Sequence, residues 1–237
     1  MFGFKDKVLS IPFPDTCIVC GNPVKNNEYA CTKCQSKIPY ISDVFKCKKC
    51  LRFLNTAESE ICGDCLIKNP DYSRLISCVE YEGDVKNTLQ AYKFRNRPDY
   101  HTGYSKLACE ILEREGVYFD AVVPIPLSKK SLKERGYNQS FLIAQNIAKY
   151  FEVPCFDDVI IKIKETKRQS ELNLKERQKN ISGAFALSNP VQVYGLHILL
   201  VDDIFTSGST MREASRILRD YPASITAFTL ARAKLKY

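Results

Sequence analysis

The chain has no apolar run approaching the roughly eighteen residues that a membrane-spanning helix needs. Residues 1–14 contain lysines and scattered apolar side chains but no continuous apolar core of a signal peptide, so the cytosol is the expected compartment. Histidine is scarce. Of the two, His101 is expected in a loop without an obvious partner and His197 packed at the start of a core strand. Neither falls in a Ser-His-Asp or Cys-His arrangement, so nothing supports a hydrolase or a thiol protease. A GxxxxGK[ST] phosphate loop is missing as well, which excludes a P-loop nucleotidase. Residues 71–237 hold no internal repeat and no low-complexity tract.

What is abundant is cysteine and positive charge. The 237 residues include 11 cysteines and carry a formal charge of +8. Eight of the cysteines are clustered as Cys17-x-x-Cys20, Cys31-x-x-Cys34, Cys47-x-x-Cys50 and Cys62-x-x-Cys65. In a reducing compartment such pairs read as metal ligands more readily than disulfides. A CxxC turn presents two thiolates, and a tetrahedral Zn²⁺ takes four. Two successive Cys₄ ribbons are the simplest solution, and an interleaved cross-brace satisfies the same spacing. No thioredoxin-like context precedes the pairs, which disfavours redox chemistry. The cysteine-rich segment, about 50 residues with few apolar side chains, cannot fold on burial alone, so metal supplies its stability. Two zinc ions on eight thiolates would lower the net charge to roughly +4, an excess that permits nucleic-acid contact without demanding it. Lys46, Lys48, Lys49, Arg52 and Phe53 around the second site are compatible with such contact and equally with solubility. Cys78, Cys109 and Cys155 read as small buried residues.

A break near residues 69–72 divides the chain into a double zinc-ribbon unit, 1–70, and a second unit, 71–237. In the second unit, strands are expected at 75–81, 121–126, 159–163, 196–201 and 224–231. Helices are expected at 84–94, 104–115, 139–151 and 211–220, where apolar residues recur on one face. Residues 166–181, polar and basic, are expected to form a mobile loop with at most one helical turn. Strands alternating with helices imply an α/β domain around a parallel sheet.

The strongest motif is ILLVDDIFTSGST, residues 198–210. A fully apolar strand delivers Asp202 and Asp203 to its carboxyl end, where ligands of open α/β sheets bind. Adjacent carboxylates there suit the vicinal hydroxyls of a ribose. Thr206, Ser207, Gly208, Ser209 and Thr210 then open a helix, and small residues at a helix N-terminus make an anion cradle of N–H and O–H donors. A strand, a capped turn and a helix would explain the hydroxyls and the glycine by themselves. The two acids beside an anion cradle make sense if the ligand also brings ribose hydroxyls and Mg²⁺.

This segment resembles the fingerprint of type I phosphoribosyltransferases over all its positions. The resemblance implies a loop for the leaving pyrophosphate, matched by Pro124-Ile125-Pro126 and residues 127–137 with Lys129, Lys130, Lys133 and Arg135. It also implies a flexible loop, matched by residues 166–180 with Lys167, Arg168, Lys175, Arg177 and Lys179. Cations are required there because pyrophosphate gains charge as the ribosyl carbon becomes an oxocarbenium ion. Arg135 and Arg168 are the catalytic candidates beside Asp202 and Asp203. Solvated surface remains the competing reading for Lys129 and Lys130.

Ribbons followed by such a domain resemble the bacterial ComF family of ComFC-type competence proteins. The matching residues are Phe13-Pro14 before Cys17-x-x-Cys20-Gly21; Tyr92-Lys93-Phe94-Arg95; Arg135-Gly136-Tyr137-Asn138-Gln139; Arg168-Gln169 with Leu172; and Arg177 with Asn180 and Phe185. The resemblance implies a role in natural transformation on the cytoplasmic side of DNA uptake. It implies 5-phosphoribosyl 1-diphosphate with Mg²⁺ as ligand, single-stranded DNA as a contact and a helicase-like ATPase as partner. It assigns no acceptor nucleophile.

The cysteine count generates a first prediction. The purified protein is expected to hold two zinc ions per chain by atomic emission, and a ratio near one would overturn the two-site reading.

Overall fold

Apolar-rich runs form strands covered on both faces, and four strands build the central sheet of this computed structural model. It describes residues 15–25, 28–42, 45–54, 58–166 and 174–234. The sheet is wholly parallel, in the order β1 (Arg74–Glu80), β6 (Ser224–Arg232), β5 (His197–Phe205), β2 (Ala121–Pro124). Its inner strand β5 buries Ile198 to Val201 almost completely. Register places Val201 between Phe228 of β6 and Pro124 of β2. The carboxyl ends of β2 and β5 therefore open onto one crevice.

Helices cover both faces. On one face lie α3 (Gly83–Phe94), α4 (Tyr100–Arg114) and α6 (Gln139–Tyr150), sharing a core with Tyr92, Tyr104, Leu107, Ile111, Ile143 and Ile147. On the other, α8 (Ser209–Leu218) sends Met211, Ala214 and Leu218 inward, joined by Ile181 of α7 (Leu174–Ile181). A separate antiparallel pair, β3 (Ile160–Lys162) and β4 (Phe185–Leu187), packs its Ile160 and Phe185 into this second core. No helix among the described residues is long and apolar enough to cross a membrane.

Several expectations shift. The expected pyrophosphate loop is largely the helix α5 (Lys129–Arg135). It buries no side chain and is held by its ends: Ser128 accepts from the Ser131 N–H, and Gly136 terminates it at φ 78°. Caps of this kind replace the apolar stripe that would have announced a helix. Residues 174–181 form the two-turn α7 where a loop was expected, while residues 167–173 lie outside the described residues. Helix α4 begins a turn early and includes His101, whose Nδ1 meets the Pro98 carbonyl oxygen at 2.7 Å. His197 does begin β5, but exposed, with its ring edge against Tyr118 and Nδ1 2.8 Å from Ser224 Oγ. Cys78 and Cys109 are buried as expected, and Cys155 only partly.

The cysteine-rich segment is laid on the sheet. Its short helices α1 (Thr32–Gln35) and α2 (Gly63–Lys68) each begin just after a cysteine. Its backbone covers the free edge of β1: Glu80 N–H donates to Pro39 O at 2.7 Å, Ile41 N–H to Cys78 O at 3.2 Å, and Leu75 N–H to Lys48 O at 2.7 Å. A buried ionic triad fastens the same edge, with Lys46 3.3 Å and Arg232 3.7 Å from the carboxylate oxygens of Glu80. Cys17, Ile18 and Ala30 enter one apolar core, and Cys47, Cys50, Cys62 and Cys65 the other.

Gly103 of α4 lets the first ribbon approach this helix closely. A Cβ there would meet Thr16 O at 2.8 Å and Ile18 Cγ2 at 2.9 Å. Gly103→Ala is therefore expected to destabilise the chain by about 1–3 kcal/mol through overpacking, despite alanine's better helix propensity. Urea unfolding at constant zinc checks this. A gain in stability would mean that the ribbon gives way freely at this contact.

Candidate functional site

The burial of β5 delivers its two carboxylates to fixed positions, and the strand continues past them to Phe205. Asp202 accepts from Ser140 Oγ at 3.0 Å and from the Asp203 N–H at 2.8 Å. Asp203 takes the Lys93 ammonium on both oxygens, at 2.7 and 2.9 Å, and its Oδ1 also accepts from the Ile204 N–H. Burial, then the Asp203 charge, push the Asp202 carboxyl up to about 6, against the pull of Lys93, the Asp203 N–H and the Ser140 hydroxyl. Lys162, also close, is pushed down by burial, with Asp202 and Glu165 pulling it back.

Beyond Phe205 the chain turns through Thr206, Ser207 and Gly208 into α8, whose first residues are Ser209 and Thr210. Gly208 adopts φ 71°, and a Cβ there would fall 2.5 Å from Phe205 Cζ. Only glycine fits this turn without displacing the ring. Ser207 and Ser209 hydroxyls lie 2.9 Å apart. Arg212, one turn into α8, straps the loop from behind: Nη1 donates to Ser207 O at 2.9 Å and Nη2 to Ser209 Oγ at 3.3 Å. Asp202, Thr206, Gly208, Ser209 and Thr210 border one small pocket of about 10 Å³.

The Arg135–Gln139 segment holds the acids' partners in place. Tyr137 O–H donates to the Tyr92 carbonyl, and Gln139 Nε2 reaches the carbonyls of Tyr92 and Lys93 at 3.4 Å. These bonds satisfy the last turn of α3, from which Lys93 extends. Asn138 caps α6 by accepting from the Ser140 N–H at 3.1 Å, and it donates to Ile125 O at 3.0 Å. Arg135 donates to Gln139 Oε1 at 3.2 Å and lies 5.1 Å over the Phe94 ring. Lys129, Lys130 and Lys133 are exposed. Glu165 sits on the start of α5, accepting from Ser128 Oγ at 2.7 Å and the Lys130 N–H at 3.3 Å. Lys167, Arg168, Gln169 and Leu172 lie outside the described residues, as do Phe13, Pro14 and the side chains of Lys175 and Arg177.

The cysteines fall into two clusters in sequential order: Cys17, Cys20, Cys31, Cys34 and Cys47, Cys50, Cys62, Cys65, each with all sulfurs within 4.8 Å. Zn–S bonds of about 2.3 Å in a tetrahedron separate sulfurs by about 3.8 Å. Cys20–Cys31 is 3.9 Å and Cys50–Cys62 is 3.7 Å. In the second cluster, hydrogen bonds from the Cys50 and Cys65 thiols hold Cys47 far below the usual thiol range, while the same contacts push Cys65 far above it. A dication lets all four thiols ionise. Both donor sets fit zinc.

Lys93, Ser140, Lys162, Glu165 and Arg212 were not singled out as site residues by pattern. Lys93 stood inside the Tyr92–Arg95 motif, which is the only signal that could have flagged one of them.

Residues 8–66 match the family described as "Double zinc ribbon domain", and residues 138–236 the "Phosphoribosyl transferase domain". The chain is 30% identical over 227 residues to the DNA utilization protein YhgH of Salmonella typhimurium, covering 92% of this chain and 97% of that one. It is 27% identical to competence protein F of Haemophilus influenzae, covering 92% and 96%. It is 28% identical to competence protein ComFC of Bacillus subtilis, covering 89% and 87%.

The raised carboxyl of Asp202 generates a pH prediction. Between the unfolded value near 3.9 and about 6, the folded chain holds a proton that the unfolded chain has lost. Its contribution is therefore complete below pH ~4 and lost as pH rises through about 6. Asp202→Asn is expected to stabilise the protein by about 1–3 kcal/mol at pH 8 relative to pH 4. Urea unfolding at the two pH values checks this; an equal effect at both would mean that Asp202 ionises normally.

Proposed function

The chain belongs to the ComF family of competence and DNA-utilization proteins, and on that premise we propose that its phosphoribosyltransferase-like domain binds 5-phosphoribosyl 1-diphosphate with Mg²⁺. In the same proposal, the protein handles single-stranded DNA in the cytoplasm with a helicase-like ATPase of DNA uptake. The observation that carries the ligand reading is the continuity of β5, the Gly208 turn and α8. One strand–turn–helix unit carries two carboxylates and, a few residues on, four hydroxyl side chains around the start of a helix. The ribose hydroxyls would be held by Asp202 and Asp203. The 5-phosphate would lie on Thr206, Ser207, Ser209 and Thr210 around Gly208, at the positive end of α8. Magnesium would offset the diphosphate charge beside the acids. Arg135 and Arg168 remain the proposed cations of the leaving-group side.

A second reading, ligand sensing without turnover, is favoured by the start of α5. Glu165 places a carboxylate against the Lys130 N–H, on the side where a departing pyrophosphate would need donors. No glycine precedes Gly136 in that segment. A salvage enzyme acting on a free base is the remaining alternative, and it predicts pyrophosphate release without any DNA binding.

Calorimetric titration with 5-phosphoribosyl 1-diphosphate and Mg²⁺ tests the ligand reading. Saturable binding is expected, weakened roughly thirtyfold in Gly208→Ala, whose turn the Cβ would strain by about 2 kcal/mol. Binding indifferent to Gly208→Ala would move the ligand elsewhere. A coupled pyrophosphate assay with single-stranded DNA, and then with free bases, separates transferase, salvage enzyme and sensor.

A further inference from the structure

Two clefts flank the turn that follows α3, and they share Arg95. One, of about 620 Å³, lies between the end of α3 and α5 and includes Lys93, Phe94, Arg95, Lys130, Arg135 and Glu165. The other, of about 560 Å³, lies between α3 and the first ribbon and includes Cys20, Asp84, Asn87, Arg95, Arg97 and Tyr100. Residues 94–97 between them are exposed, with Asn96 in the left-handed conformation at φ 50°.

We propose that this turn is the contact for single-stranded DNA, with Phe94 stacking a base and Arg95 and Arg97 tracking the phosphates on either side. The assignment rests on the DNA-handling reading above and adds where the strand lies. Phe94 ends α3 with half of its surface exposed, and the Arg135 guanidinium is 5.1 Å over its ring. A ring face with a guanidinium beside it is the general platform for unpaired bases, because every base has a π face. Arg97 is held in a fork on Asp99, at 2.8 and 2.7 Å, and lies 4.9 Å over the Tyr100 ring. Its plane is thus set before any ligand arrives. Arg95 makes no side-chain hydrogen bond or ion pair among the described residues, so its charge is available. Among the ionisable residues of the two clefts the cations outnumber the acids Asp84, Glu134 and Glu165. A protein partner would call for a broader apolar surface than a single ring; a flexible polyanion with flat bases suits one ring between two cationic clefts.

The experiment is fluorescence anisotropy of a labelled oligothymidylate of about twenty nucleotides, titrated with the full zinc-loaded chain across a range of salt. Wild type is compared with Phe94→Ala and Arg95→Ala, and zinc content and urea midpoint confirm that both variants fold. Phe94→Ala is expected to weaken binding about tenfold. Arg95→Ala is expected to make the slope of log affinity against log salt shallower by about 0.7. Wild-type binding that both variants retain unchanged would overturn this surface and leave the DNA-handling reading standing. Absence of wild-type binding at low salt would overturn that reading, and this assignment with it.

Discussion

The repulsion between the carboxylates of Asp202 and Asp203 is the interaction to which the rest of the site is fitted. The strand beneath them is too well buried to move, so the charge has to be met by groups brought from elsewhere. Lys93 comes from the end of α3, Ser140 from the first turn of α6, and Lys162 from β3. The Arg135–Gln139 segment secures the first two at once, by bonding the carbonyls that end α3 and capping the helix that carries Ser140. That short stretch is, physically, the clamp that keeps partners from two elements, α3 and α6, around one acidic pair.

A second dependence runs from the metal clusters to the cradle. The second cluster lies in the same apolar core as Phe205 and Met211, which border the Gly208 turn. Tyr72 stands between: its hydroxyl donates to Lys49 O at 2.8 Å within that ribbon, and it feels the charge of Arg212, the residue that straps Ser207 and Ser209. The second ribbon thus shares one apolar core with the residues that border the turn.

Legibility in the sequence followed the range of the interactions. Cysteine spacing and the Asp-Asp–hydroxyl run are local, and a Cys₄ site or a strand–turn–helix cradle is specified within a few residues, so both could be read directly. Strand β5 announced itself because the complete burial of Ile198 to Val201 needs an unbroken apolar run. Helix α5 was hidden because its stability comes from Ser128 and Gly136 at its ends and it buries nothing. The Lys93–Asp203 pair spans 110 residues and Ser140–Asp202 spans 62. No periodicity encodes such pairs; the topology of the sheet makes them. Likewise, the boundary near residue 70 is sharp in composition, yet the chain on both sides of it contributes to each apolar core.

The backbone that crosses β1 has a consequence for how this protein fails. An outer strand with unsatisfied N–H and C=O groups is a template for pairing with another chain, and β1 carries the apolar sequence Leu75-Ile76-Ser77-Cys78-Val79 along that border. The ribbons cover it, and metal holds the ribbons in shape. Loss of metal would therefore loosen the cover of this border and open its N–H and C=O groups to pairing with another chain.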